Sequence, residues 1–167
     1  LGDAKLWYGD YARYFQGSDL REHKAYFKEM LKCEFEPVVL PETRKPGQGG
    51  ASGIYFLPEE IFGRVRRFAR ENGLTETMVF LGAYGILLSK YAGKKDILSS
   101  VILRNRIHAD TRDMSGMFVN TLPVYLAVDG NMSDYMGRVR ELFLNLLQYQ
   151  ELPFLEIAGA VGMADKS

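Results

Sequence analysis

The sequence predicts an α/β fold, a mixed sheet covered by large helices, in the order α-β-β-α-α-β-β-α. Three observations carry this. Met136, Val139, Phe143 and Leu146 recur at helical spacing over 134–148. Two runs, 97–103 and 117–128, are apolar without that spacing and read as strands. Between Met78 and Leu88 eleven residues carry no charge, the pattern of a helix buried on all sides.

Each element has a local reason. Asp19-x-x-Glu22 has the form of a capping box and opens a helix over 20–32, with Phe27 and Leu31 toward the core. Val38 and Val39 suggest a strand over 35–40. The following 41–50 holds two Pro and three Gly and reads as a loop. A short strand is expected over 54–57. Pro58-Glu59-Glu60 then starts a helix, because Pro suits the first helical position and carboxylates suit the positive end of the helix dipole. Ile61, Val65 and Phe68 form its apolar stripe, and Gly73 ends it. Thr75 or Thr77 caps the next helix, which runs to about Tyr91 and stops at Gly93. Gly82 and Gly85 inside it imply close approach of a packed neighbour, since each costs about 1 kcal/mol relative to Ala. A polar loop spans 104–116. Ser133 caps the long helix over 134–148, Pro153 breaks it, and 154–160 forms a short last helix.

The composition excludes several functions. Lys plus Arg and Asp plus Glu both number 21, so no basic excess drives nucleic-acid binding. The longest apolar run is far short of the ~20 residues a membrane helix needs. No basic, apolar and small-residue succession opens the sequence, so no signal peptide is expected. A single cysteine, Cys33, gives no disulfide and no Cys-rich metal site, which suits a reducing, cytoplasmic compartment. His23 and His108 stand far apart in sequence, so no metal site is expected, and His23 reads as a surface residue. Gly47-x-Gly49-Gly50 lacks the Lys-Ser/Thr of a phosphate-binding loop. Arg64, Arg66, Arg67 and Arg70 form a basic helix flank, usually solvated surface but able to dock an acidic partner. The one unusual strand residue is Asn120, an amide in an apolar run that shares a face with Phe118. It is either tied to neighbouring backbone or lines a reaction channel.

Taken together, these residues resemble a family. Gly116-Met117-Phe118-Val119-Asn120-Thr121 is similar to the Gly-x-Phe-Val-Asn-Thr motif of nonribosomal peptide synthetase condensation domains. Tyr8-Gly9-Asp10-Tyr11-Ala12-Arg13-Tyr14 resembles the Tyr-x-Asp-Tyr-Ala-x-Trp motif, with Tyr14 replacing Trp. Stretches 25–31, 40–46, 77–96 and Arg106-x-His108-Ala109-Asp110 resemble family segments in the same order. Gln150-Glu151-x-Pro153-Phe154 resembles the His-Gln-Asp/Glu-x-Pro-Phe motif, with Tyr149 in place of His. Asn105 stands where Gly precedes the Arg, and Ile102 where Pro is common. The resemblance covers nearly the whole chain, and the order of the motifs makes it specific. Epimerisation domains share the fold but differ at the Phe-Val-Asn-Thr position.

The resemblance implies one lobe of a chloramphenicol-acetyltransferase-like two-lobed fold. Residues 1–167 would be the C-terminal lobe, a fragment without the His-His-x-x-x-Asp-Gly motif, so no catalytic residue is expected within it. Asn120, Phe118, Gly116 and Arg106 would line or position a tunnel, and Asp10, Tyr11, Pro153 and Phe154 would be structural motif residues. The implied partners are the N-terminal lobe, peptidyl or acyl carrier proteins with their phosphopantetheine arms, and an adenylation domain. The implied reaction is amide formation between carrier-bound thioesters. A docking module without chemistry and a CoA-dependent acyltransferase-like lobe are the alternatives.

Overall fold

The structure is a computed structural model and describes residues 6–32, 38–39 and 52–162. It contains α1 (Tyr8–Gln16), α2 (Arg21–Met30), α3 (Glu59–Glu71), α4 (Glu76–Ala92), β1 (Asp96–Leu103), β2 (Asn120–Ala127), α5 (Met132–Tyr149) and α6 (Phe154–Ala160), with a 3-10 turn at Ala109–Thr111. The α/β class is as predicted, and α2 to α6 and the last two strands fall close to where the sequence places them, while α1 is an additional helix that the predicted order does not contain.

The sheet is smaller than expected. Among the described residues it has two strands, β1 and β2. Val128 N–H donates to Lys95 O at 2.8 Å, so the end of β2 pairs with the start of β1 and the strands run antiparallel. The predicted strand at 54–57 is not formed, and Ile54, Tyr55 and Phe56 lie open to solvent. The predicted strand at 35–40 and the loop at 41–50 lie outside the described residues, apart from Val38 and Val39, which are in no strand. Leu122, Val124 and Leu126 alternate into the core along β2.

The chain forms two compact units. Unit 1 comprises Leu1–Glu34, Ser99–Val124 and Leu146–Ser167, and unit 2 comprises Phe35–Leu98 and Tyr125–Asn145.

In unit 2, α3 packs on α4. The α3 stripe is rotated from the expected one: Ala69 is buried, Phe62, Val65 and Phe68 are half-buried, and Ile61 is exposed. Thr75, not Thr77, caps α4, its hydroxyl accepting from Met78 N at 3.2 Å. Gly82 and Gly85 do admit a neighbour. A Cβ on Gly82 would lie 2.7 Å from Met136 Sδ, and one on Gly85 would lie 2.5 Å from Tyr135 Oη and 2.8 Å from Leu126 Cδ1. The close approach lets Tyr135 O–H donate to Gly82 O at 2.9 Å in the core. However, α4 is not buried all round. Phe80, Tyr84, Leu87 and Tyr91 form a continuous exposed row opposite the buried Met78, Leu81 and Leu88. The cap of α5 is Asn131 rather than Ser133: its Oδ1 accepts from Asp134 N at 2.9 Å and its Nδ2 donates to Asp134 Oδ2 at 2.8 Å.

In unit 1, α2 packs on α6, with Lys24 Nζ 2.8 Å from Glu156 Oε2. Phe27 is fully buried and Leu31 nearly so, as expected. The Asp19 capping box does not form. Helix α2 starts at Arg21, and Asp19 accepts instead from the Arg21 guanidinium and backbone N–H. The guanidinium satisfies the carboxylate before the Glu22 register can use it. Pro153 stands at the N-cap of α6, where its fixed φ of −63° leads into the helix.

Candidate functional site

The family-like segments of unit 1 surround one cavity of about 300 Å³. Its walls are α1, the approach to β2 and the turn before α6. Helix α1 is set by Asp10, whose carboxylate accepts from Trp7 N–H at 2.9 Å and pairs with Arg13 at 3.1 Å. A carboxylate there also suits the helix dipole. This places Tyr8 and Tyr11 side by side on the wall. Tyr8 O–H donates to Met117 O at 2.9 Å.

Gly116 lies against the Tyr8 ring so tightly that a Cβ would overlap it. Phe118 is buried beneath Tyr8 and Tyr11, with ring centroids 5.1 and 4.9 Å away. Val119 and Thr121 point outward, so the predicted alternation holds even though residues 117–119 are not in the strand. Half-buried Asn120 donates from Nδ2 to Gln150 O at 2.8 Å and to Leu152 O at 2.7 Å, and it also lines the cavity. The amide thus fastens β2 to the turn that carries Glu151 and Pro153. Phe154 is partly exposed at the start of α6.

Arg106 is not among the residues lining this cavity. Its guanidinium lies 4.2 Å from the Phe118 ring centroid and donates to Thr111 O and to Met114 O, the latter at 2.9 Å. It clamps the 106–114 loop under the aromatic wall.

Three groups that the sequence reading did not assign to the site meet there. His108 does not stand alone: its Nε2 is 2.9 Å from Glu151 Oε1, and the Glu151 side chain is largely buried. Their 43-residue separation hid the pair. The side chains of Glu151 and Asn105 both act on the Tyr11 hydroxyl. Burial, and then the Glu151 charge, push its pKa up to about 12, while the Asn105 hydrogen bond works against them. Asn105 has φ +50° and is buried. Only Gly, Asn and Asp adopt this left-handed backbone readily, so Asn105 occupies it with little strain. Its Oδ1 is buried with no hydrogen-bond partner. His23 is half-buried edge-on to Tyr149, 5.2 Å between centroids, rather than a free surface residue. Among the described residues no group of His, Cys, Asp and Glu could hold a metal. No helix there is long and apolar enough to cross a membrane.

The Tyr11 geometry has an alkaline consequence. A tyrosine whose folded pKa is raised from about 10 to about 12 contributes stability that is fully present below about pH 10 and lost as pH climbs toward 12, because the unfolded chain releases its proton first. Tyr135 in unit 2, also pushed up to about 12 by burial, acts in the same direction. Denaturant melts of wild type and Tyr11→Phe between about pH 9 and about pH 11.5 should show a shallower decline in the variant. Equal slopes would show that Tyr11 titrates as it does in water.

The model of the condensation domain family matches residues 3–167. Surfactin synthase subunit 1 of Bacillus subtilis (strain 168) is 35% identical over 163 residues, covering 92% of this chain and 4% of that protein. Bacitracin synthase 1 of Bacillus licheniformis is 30% identical over 166 residues, covering 93% of this chain and 3% of its own length. The chain therefore spans only a few per cent of the length of the curated relatives it matches. Among solved structures, the X-domain from teicoplanin biosynthesis superposes with a TM-score of 0.81 at 21% identity, covering 97% of this chain and 39% of that one. The first condensation domain of the calcium-dependent antibiotic synthetase, bound to a substrate analogue, gives 0.73 at 23% identity, covering 92% and 36%. At such identities these structures share the fold. With the motif residues gathered around one cavity and the family model matching nearly end to end, this chain belongs to the condensation domain family.

Proposed function

We propose that this chain is the C-terminal lobe of a condensation domain that forms amide bonds between carrier-bound aminoacyl or peptidyl thioesters in nonribosomal peptide synthesis. The observation that carries this reading is the family match over 3–167 together with convergence of the Tyr8, Arg106, Gly116 and Gln150 motifs in unit 1. In the reaction, an acceptor amine attacks the donor thioester carbonyl. The C–N bond forms, the C–S bond breaks, and the carrier thiol leaves with a proton taken from the amine. Catalysis requires alignment of amine and carbonyl and stabilisation of the oxyanion. A histidine of the His-His-x-x-x-Asp-Gly motif would assist proton transfer. This sequence has no adjacent His pair, its histidines being His23 and His108.

Its own residues fit a supporting role. Asn120 and Arg106 fix the backbone around the cavity, and Gly116 and Phe118 set the aromatic wall. The N-terminal lobe, carrier proteins bearing phosphopantetheine arms and an adenylation domain are the proposed partners, and the cytoplasm is the proposed compartment. The exposed row Phe80, Tyr84, Leu87 and Tyr91 is the kind of surface a further segment would cover.

The test is to incubate the chain alone, and the natural full-length protein that contains it, with donor and acceptor aminoacyl carrier proteins. Mass spectrometry then looks for dipeptidyl thioester. The expected result is product from the full-length protein and none from the 167-residue chain. Product from the chain alone would overturn the assignment of catalysis to another lobe. Carrier binding without product in both proteins would favour the docking module, and turnover of free CoA thioesters would favour the acyltransferase reading.

A further inference from the structure

We propose that the exposed row on α4 pairs with the same row of a second copy of this chain, as two antiparallel helices related by a two-fold axis. Phe80, Tyr84, Leu87 and Tyr91 are each between 42% and 60% exposed. Their spacing is four, three, four, the strict alternation of a helix-pair seam. The buried side of α4 differs. Met78, Leu81, Gly82, Gly85 and Leu88 form the broader stripe of a helix resting on a core. One helix therefore carries two apolar faces, and the described residues cover only one of them.

The row suits a copy of itself. Its spacing reads the same from either end. A two-fold axis passing between Tyr84 and Leu87 sets Tyr84 of one copy against Leu87 of the other, and Phe80 against Tyr91. Every central contact is then aromatic or aliphatic, and the Tyr hydroxyls reach toward water at the rim. Charges at the two ends fix the direction. Glu76 lies in the first turn of α4 and Lys90 in the last, with Lys95 exposed just beyond. Antiparallel packing brings the acidic end of each helix to the basic end of the other and opposes the two helix dipoles. Parallel packing would set Lys90 beside Lys90. Within its own chain Glu76 is held loosely, 3.8 Å from Arg66 Nε.

The area sets the strength. An aromatic side chain has about 150–250 Å² to bury, so four half-open residues offer roughly 400 Å² per copy and about 800 Å² in the pair. Thr77, Ala83 and the stem of Lys90 are exposed beside the row. They bring the total to about 1,000 Å², the lower end of specific contacts. The pair is therefore weak and reversible, with a Kd of roughly tens to hundreds of micromolar. It needs no thioester, carrier protein or second lobe. In a longer protein, a segment lying on the row would compete with it.

The test is sedimentation equilibrium of the 167-residue chain from about 5 μM to about 1 mM, where a monomer–dimer curve is expected. Tyr84→Lys and Leu87→Glu each put an unpaired charge into the seam and should weaken the dimer about tenfold or more. Both positions are about half exposed and both new side chains suit a helix, so circular dichroism melts should stay within a few degrees of wild type. An equal mixture of the two variants should dimerise again, because the two-fold pairing sets the introduced ammonium against the introduced carboxylate. Tyr55→Lys, in the other exposed apolar stretch, should leave the curve unchanged. A monomer at every concentration, a curve that neither seam substitution moves, or a mixture that stays monomeric would each overturn the proposal.

Discussion

Asn120→Asp is expected to destabilise unit 1 by about 3–5 kcal/mol, more than the roughly 2–3 kcal/mol expected of Asn120→Ala. The reason is directional. Asn120 Nδ2 donates to Gln150 O and Leu152 O, and a carboxylate would put acceptors in front of both carbonyls. Alanine merely leaves them unpaired. The introduced charge also gives the variant a distinctive pH response. Facing two carbonyls raises the folded pKa of the new carboxyl, so the protonated form is favoured by folding and stability returns as pH falls through that pKa. Thermal melts of wild type, Asn120→Ala and Asn120→Asp at neutral and mildly acidic pH check this. Identical melting of the Asn120→Asp and Asn120→Ala proteins at both pH values would show that the two donated bonds carry no weight.

Gly85→Ala is the second large effect, and its sign opposes helix propensity. In a helix interior Ala is favoured over Gly by about 1 kcal/mol. At Gly85 the new methyl would stand 2.5 Å from Tyr135 Oη and 2.8 Å from Leu126 Cδ1. Tyr135 must then retreat and strain or break its buried bond to Gly82 O. Overpacking and the lost bond together cost about 2–5 kcal/mol, so a net loss of roughly 1–4 kcal/mol is expected. Gly63→Ala provides the control. Gly63 sits in α3 with nothing near its missing Cβ, so the same substitution should raise stability by about 0.5–1 kcal/mol. Denaturant midpoints of the two variants should move in opposite directions, and a parallel shift would refute the packing argument.

What could be read from the sequence was what depends on periodicity and chain order. Met136, Val139, Phe143 and Leu146 are all buried on α5, as their spacing required. The use of Gly82 and Gly85 was also legible, because a glycine in a helix needs a reason. Buried and exposed faces of α4 were not separable, since an apolar row has the same composition whether or not it is covered. Residues 54–57 have a strand's composition, yet a strand also needs a neighbour, which a short run does not encode. Helix starts depended on competition: Asp19 pairs with Arg21, and Asn131 caps α5 ahead of Ser133. Of the candidate site, Gly116, Phe118 and Asn120 were visible as one motif. The His108–Glu151–Tyr11–Asn105 cluster was not, because it joins three distant stretches through side chains alone. One clue lay in plain view, an Asn where the family has Gly, the signature of a left-handed residue with a side chain to use.

The division of unit 1 into three stretches also sets the order in which the protein matures on the ribosome. Tyr8, Tyr11 and Phe27 emerge early, but the turn that Asn120 holds and the helix packed on α2 follow roughly a hundred residues later. At about 5–20 residues per second, these aromatic side chains wait several seconds or more for their last partners, while unit 2 already has its full complement of residues by Asn145. Early nascent chains should therefore present α1 and α2 as a transient target for chaperones, and slowed translation after Asn145 should lengthen that exposure in unit 1 alone.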